Sequence, residues 1–346
     1  MRASRWTSVV SLCAAGALAF PAAGGASPDP VGPDPASPDR AGTDAGPPLS
    51  VPAADLAQSL RCSADLDHAQ REPVLLVPGT AETPAEFSWN YVPAFQQQHV
   101  PFCTVELPDH AMGDIQVNGE YVVHAIRAMS ARSGHKVQIV GHSQGGMVPR
   151  WALKYWPDTR RDVDDLIGLA PSNHGTVDSA AVCATGCGPA FRQQGLLDSN
   201  FLRALNSGPE TYPGISYTSV ASRYDEVVVP NIGQHGSSFL HTGGGRISNV
   251  QIQSACPLNV SDHLTTGTSD PVGYAAVEDA LAHPGPADPD RLPKSACATP
   301  FMPAVDPVTF PTDFAQVAGT AANQVLTHPR EFREPPLKSY AAAPAR

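Results

Sequence analysis

The chain is predicted to be an α/β protein with a mostly parallel central sheet covered by helices on both faces. Three observations carry that prediction. Short apolar runs alternate with helix-like segments along most of the chain. The runs are nearly continuous rather than alternating, as in strands buried on both faces. One of them, "KVQIV", passes through a serine set between glycines, "GHSQG", directly into a helical pattern.

The elements are taken in chain order. Arg2 and Arg5 precede the apolar stretch Ser8–Phe20, and small residues near Ala23 or Ala26 suit cleavage. Residues 1–26 therefore read as an export signal. The stretch is too short to serve as a permanent membrane span. Leu12, not a small residue, precedes Cys13, which argues against a lipid anchor. Residues 27–55 are rich in Pro, Asp, Gly and Ala and almost lack large apolar residues. Such a segment cannot offset its ordering entropy and is expected to be a disordered linker. Residues 56–300 form the main domain. Its predicted strands are Val74–Val77, Phe102–Leu107, Val137–Val140, Leu166–Leu169, Ile215–Val220 and Val250–Ser254. A helix capped by Asp114 carries Val117, Tyr121, Ala125 and Met129 at four-residue steps and stops at Gly134. The helix after "GHSQG" aligns Met147, Trp151 and Tyr155 and contains Pro149, where a slight irregularity is expected. "PVGYAAVEDALAHPG" predicts another. Residues 301–346 read as a proline-punctuated extension with one helix near Asp313–Leu326.

Composition narrows the function. The formal net charge is −11 and there is no basic run, which argues against nucleic acid and anionic membrane surfaces as partners. Beyond the export signal lie six cysteines: Cys62, Cys103, Cys183, Cys187, Cys256 and Cys297. An even number in an exported chain predicts three disulfides, though six cysteines allow 15 pairings. Their spacing forms no paired C-x2-C clusters, so we expect no zinc. No cofactor is expected.

"GHSQG", Gly141 to Gly145, matches G-x-S-x-G at a strand-to-helix turn. There the serine adopts a strained conformation and the flanking glycines let strand and helix approach. Ser143 is thus the candidate nucleophile. It needs a base, and the base needs an acid to hold its tautomer. In this arrangement the acid and then the histidine follow the serine in the chain, each after a strand. Asp225 follows the strand ending at Val220, and His263 follows the next strand. Asp178, Asp198 and Asp270 compete as acids, and His235, His241 and His283 as bases, from less suitable positions. Asp262 is expected to cap the helix that follows it. An oxyanion hole would use the backbone N–H of Gln144 and, from the loop after Val77, the N–H and hydroxyl of Thr80, with Gly79 allowing close approach.

Five segments together carry a resemblance: "PVLLVPGTAET", "GDIQVNGEYVVHAI", "GHSQGGMVPRWAL", "YDEVVVP" and "VSDH". From about Leu60 to Cys297 the chain resembles the Candida antarctica lipase B-like secreted lipases and their bacterial relatives. The resemblance implies an α/β-hydrolase fold and metal-free ester hydrolysis. It implies Ser143 as nucleophile, Asp225 as acid, His263 as base, and Thr80 and Gln144 as oxyanion donors. It also implies disulfides Cys62–Cys103 and Cys256–Cys297, which leaves Cys183 and Cys187 to close a small loop. The chain departs from lipase B at His142, where lipase B has tryptophan and many bacterial relatives have histidine, and at Ser172, where lipase B has an acid. The segment after Pro300 does not match. We therefore expect a secreted, monomeric serine hydrolase acting on acylglycerols or related esters, at a lipid–water interface, without a membrane anchor. A polyester- or cutin-type hydrolase is the rival reading among enzymes. A non-catalytic secreted binding protein that kept the fold is the rival from another class.

Overall fold

The structure is a computed structural model that describes residues 45–342. The expected export signal and residues 27–44 of the expected linker lie outside the described residues. Seven strands form one sheet: β1 Leu60–Cys62, β2 Val74–Val77, β3 Phe102–Val105, β4 Val137–His142, β5 Val163–Leu169, β6 Ser216–Ala221 and β7 Arg246–Gln251. Their order is β1-β3-β2-β4-β5-β6-β7. Only β1 runs antiparallel to its neighbour.

The continuous apolar runs have a direct cause. Leu75 and Val77 point to a layer containing the helices Ile115–Ser133 and Gln144–Tyr155. Val74 and Leu76 point to the opposite layer, with helices Tyr91–Gln98 and Pro271–Ala282. All four side chains are fully buried, each contributing about 1.5–3 kcal/mol of transfer free energy. Helix Ile115–Ser133 ends where its caps dictate. Asp114 accepts from the Gln116 N–H at 3.0 Å, and Gly134 closes the other end at φ 71°. Pro149 does not interrupt helix Gln144–Tyr155.

Two expectations are corrected and one strand is added. The last strand is Arg246–Gln251, and Ile252–Ala255 already turn helically. It is an edge strand with most side chains half-buried, so "RISNVQ" lacks the apolar run that the inner strands show. β1 is only three residues long and leaves no recognisable pattern. Residues 45–55 are fixed, not part of a disordered linker. The Trp156 indole donates to Pro47 O at 2.7 Å. Glu120 accepts from the Ser50 N–H at 2.5 Å, the Ser50 hydroxyl at 2.7 Å and the Val51 N–H at 3.0 Å. A single buried carboxylate outweighs the low apolar content of the segment.

Residues after 300 are part of the body. The expected helix spans Phe310–Thr327, and Phe310 packs against Trp89 and Phe301. The chain then returns as a strap. Glu331 bridges Cys187. The Glu334 carboxylate accepts from the N–H groups of Asn200 and Phe201, both at 2.7 Å, at the start of helix Asn200–Leu205. The Lys338 N–H donates to Gln116 Oε1 at 2.7 Å. The Tyr340 ring packs among Trp151, Tyr155 and Trp156. Three disulfides form, Cys62–Cys103, Cys183–Cys187 and Cys256–Cys297, the first joining β1 to β3. Among the described residues no helix is long and apolar enough to cross a membrane.

Candidate active site

The candidate site lies at the carboxyl ends of β2, β4, β5 and β6, where ligands bind in sheets of this kind. Ser143 joins β4 to the helix Gln144–Tyr155 and has φ 54°, ψ −121°. That conformation is strained for a residue with a side chain. The neighbouring glycines make it possible. A Cβ on Gly141 would strike the backbone of Gly145, and one on Gly145 would strike Val77 O. The turn is held by the Ser143 N–H donating to Leu169 O at 2.9 Å and the Gly146 N–H donating to Ser143 O at 3.0 Å. Ser143 Oγ makes no hydrogen bond among the described residues.

Asp225 and His263 meet although 38 residues separate them. His263 Nδ1 lies 3.0 Å from Asp225 Oδ2, with both side chains buried. Asp225 is held from three more directions. Oδ1 accepts from the N–H groups of Val227 at 3.0 Å and Val228 at 2.8 Å, and Oδ2 accepts from Asn231 Nδ2 at 3.2 Å. Burial alone would raise the Asp225 pKa. The His263 charge and hydrogen bond, with the two backbone N–H groups, outweigh it and hold the pKa below the ordinary carboxylate value. Burial alone would lower the His263 pKa. The charge and hydrogen bond of Asp225, with Glu226 and Glu86 adding, hold it above the ordinary value. His263 opens the short helix His263–Thr268 instead of lying in a free loop. Asp262 caps that helix, accepting from the Thr265 N–H at 2.8 Å.

The competing residues are occupied elsewhere. Asp270 caps helix Pro271–Ala282 and accepts from Asn259 and Ser261. His283 pairs with Asp279. Asp178 precedes the helical turn Ser179–Val182, and no hydrogen bond links Asp178, Asp198, His235 or His241 to His263 or Asp225 among the described residues.

Thr80 and Gln144 come together beside Ser143. Thr80 Oγ1 accepts from Gln144 Nε2 at 2.8 Å and from Gln194 Nε2 at 2.9 Å. A hydroxyl has two acceptor sites and one proton. Both acceptor sites are taken, so the proton is free to be donated away from these amides. Gln144 is itself fixed, donating to Ala111 O at 2.9 Å and accepting from Asn118 Nδ2 at 2.8 Å. As first residue of its helix, it has a backbone N–H with no helical acceptor. Gln194 Oε1 accepts from the Ser172 hydroxyl at 2.7 Å. Sequence reasoning missed Gln194 and Asn231, because neither lies in a motif: Gln194 reaches Thr80 across 114 residues, and Asn231 reaches Asp225 only because the loop between them folds back. The identification of Ser172 as a departure from the family pattern was the one available hint.

The chain is similar to known proteins in sequence and in fold. The family model described as Lipase (class 2) matches residues 71–254. Lipase B of Pseudozyma antarctica is 34% identical over 313 residues, covering 85% of this chain and 86% of that protein. The crystal structure of Aspergillus fumigatus lipase B superposes with a TM-score of 0.79 at 31% identity, covering 86% of this chain and 73% of that one. Likeness this extensive, across sequence and fold together, makes the chain a member of the class 2 lipase family, an α/β-hydrolase of the carboxylic-ester hydrolase type.

Proposed function

We propose that this chain hydrolyses acylglycerols or related carboxylic esters through an acyl-enzyme formed on Ser143. The observation that carries the reading is the buried Asp225–His263 pair, whose histidine ring sits 4.7 Å from that of His142, the residue before the strained Ser143. His263 takes the Ser143 proton as the oxygen attacks the ester carbonyl. It then passes that proton to the departing alcohol. Asp225 holds Nδ1 protonated, which leaves Nε2 free as the base, and stabilises the imidazolium that forms. The free proton of Thr80 and the backbone N–H groups of Thr80 and Gln144 receive the developing oxyanion. Water, activated by His263, releases the acid.

Work at a lipid–water interface is supported by apolar residues on the loops that deliver the acid and the base. Leu258 is 94% exposed, Val260 72% and Ile232 70%. Secretion is supported by the three disulfides and by the sequence of residues 1–26. The reading is tested with folded wild type and Ser143→Ala on p-nitrophenyl butyrate, and with a fluorophosphonate probe. Turnover and labelling should both vanish in Ser143→Ala. Equal rates in the two proteins would overturn it.

A further inference from the structure

We infer that Glu86 and His142 form a buried clamp behind Ser143, joining the loop that carries Thr80 to the segment that carries His263, and act as positioning residues for ester hydrolysis. The inference rests on the proposed function above. His142 is the last residue of β4 and the neighbour of Ser143, and its side chain is 3% exposed; that of Glu86 is fully buried.

Each contact of this pair ends on a different catalytic loop. His142 Nε2 lies 3.1 Å from the backbone carbonyl of His263. A carbonyl can only accept, so Nε2 carries a proton and donates it. His142 Nδ1 is hydrogen-bonded to Glu86 Oε1. Glu86 Oε2 accepts from the Gly79 N–H at 3.0 Å, one residue before Thr80. One further proton therefore lies between Nδ1 and Oε1. Whichever atom holds it, the pair is neutral as a unit and stays bonded at both ends.

Packing leaves the clamp little freedom. A Cβ on Gly267 would fall on the His142 ring. A Cβ on Gly79 would lie 3.3 Å from both His142 Nδ1 and Ser143 Cβ. The His142 and His263 rings sit 4.7 Å apart, centroid to centroid. Glu82 is the other acid facing Glu86. Burial, together with the Glu86 charge, pushes its carboxyl up to about 9, so it stays protonated near neutral pH and does not compete for His142. A histidine that merely filled space would not need a buried acid partner or a donor aimed at the base's own carbonyl.

The test compares wild type, Ser143→Ala, His142→Phe, His142→Gln and Glu86→Gln on p-nitrophenyl butyrate across pH, with thermal unfolding of each. His142→Phe removes the donor to His263 and should lower kcat by about 10- to 100-fold with a much smaller change in KM. His142→Gln keeps a donor near the Nε2 position and should recover most of that loss. Glu86→Gln can keep both contacts of the neutral pair, its amide oxygen accepting from the Gly79 N–H and its NH2 donating to Nδ1, so its kcat should stay within about tenfold of wild type and its acid limb should stay in place. Should His142→Phe fail to fold, the Gln variants decide. Folded His142→Phe within about threefold of wild-type kcat would overturn the clamp. So would a His142→Gln no faster than His142→Phe, or a folded Glu86→Gln that loses much more than tenfold in kcat. An inactive wild type would instead remove the proposed function, and the clamp with it.

Discussion

Replacing Thr80 by valine separates its role in turnover from its role in folding. The hydroxyl is the acceptor of two amide N–H groups, from Gln144 and Gln194. Each amide keeps a second bond to a backbone carbonyl, Ala111 O at 2.9 Å and Ala190 O at 3.1 Å. One N–H on each side chain loses its partner in a partly buried setting, so the stability loss should be about 1–3 kcal/mol in total. The catalytic loss should be larger. Removing one oxyanion donor costs about 10²–10³ in kcat, or about 2.7–4 kcal/mol of transition-state stabilisation. Because the oxyanion exists only in the transition state, kcat and kcat/KM should fall together. Thr80→Ser keeps the hydroxyl and should stay within about tenfold of wild type. Steady-state kinetics on p-nitrophenyl butyrate, paired with urea unfolding, read both effects. A Thr80→Val enzyme with kcat within about threefold of wild type would refute the reasoning.

The remaining predictions concern pH and packing. His263 is a base only when Nε2 is unprotonated, and its pKa lies above 6.5, so the kcat/KM profile should rise with a midpoint above pH 6.5. Asp225→Asn should move that midpoint down and cost about 10⁴ in kcat; a wild-type midpoint at or below 6.5 would contradict the geometry. The same shifts enter stability. The His263 contribution is complete below its unfolded pKa near 6.5 and is lost as pH rises through its higher folded value. The Asp225 contribution is present above 3.8 and is lost as pH falls through its lower folded value. Gly267→Ala should destabilise by about 1–3 kcal/mol, because its methyl meets the His142 ring, and an unchanged urea midpoint would show that the ring can give way.

The features legible from the sequence are those whose cause is local. β2 spans the predicted Val74–Val77, and Asp114 and Gly134 bound their helix as expected, because periodicity and caps are written within a few residues. The strained turn at Ser143 is legible from its glycines, which act on neighbouring backbone. The pairing of Asp225 with His263 is legible from their order after successive strands. Gln194, Asn231 and Glu86 are not legible, since each acts through side-chain hydrogen bonds that the folded loops create and leaves no pattern around itself. β7 was misplaced because an edge strand need not be apolar on both faces. Residues 45–55 were read as loose because composition does not show that Glu120, far along the chain, receives Ser50 and Val51.

The strap has a consequence for biosynthesis. Lys338 meets Gln116 across 222 residues of sequence, and everything the strap covers is made before the strap itself. At translation speeds of roughly 5–20 residues per second, that interval is roughly 10–45 s. Throughout it, the aromatic faces of Trp151 and Tyr155 lack the tyrosine that later seals them. The sheet and its helices are thus made before the segment that seals them, so sealing is a late step that depends on the strap finding its aromatic cleft.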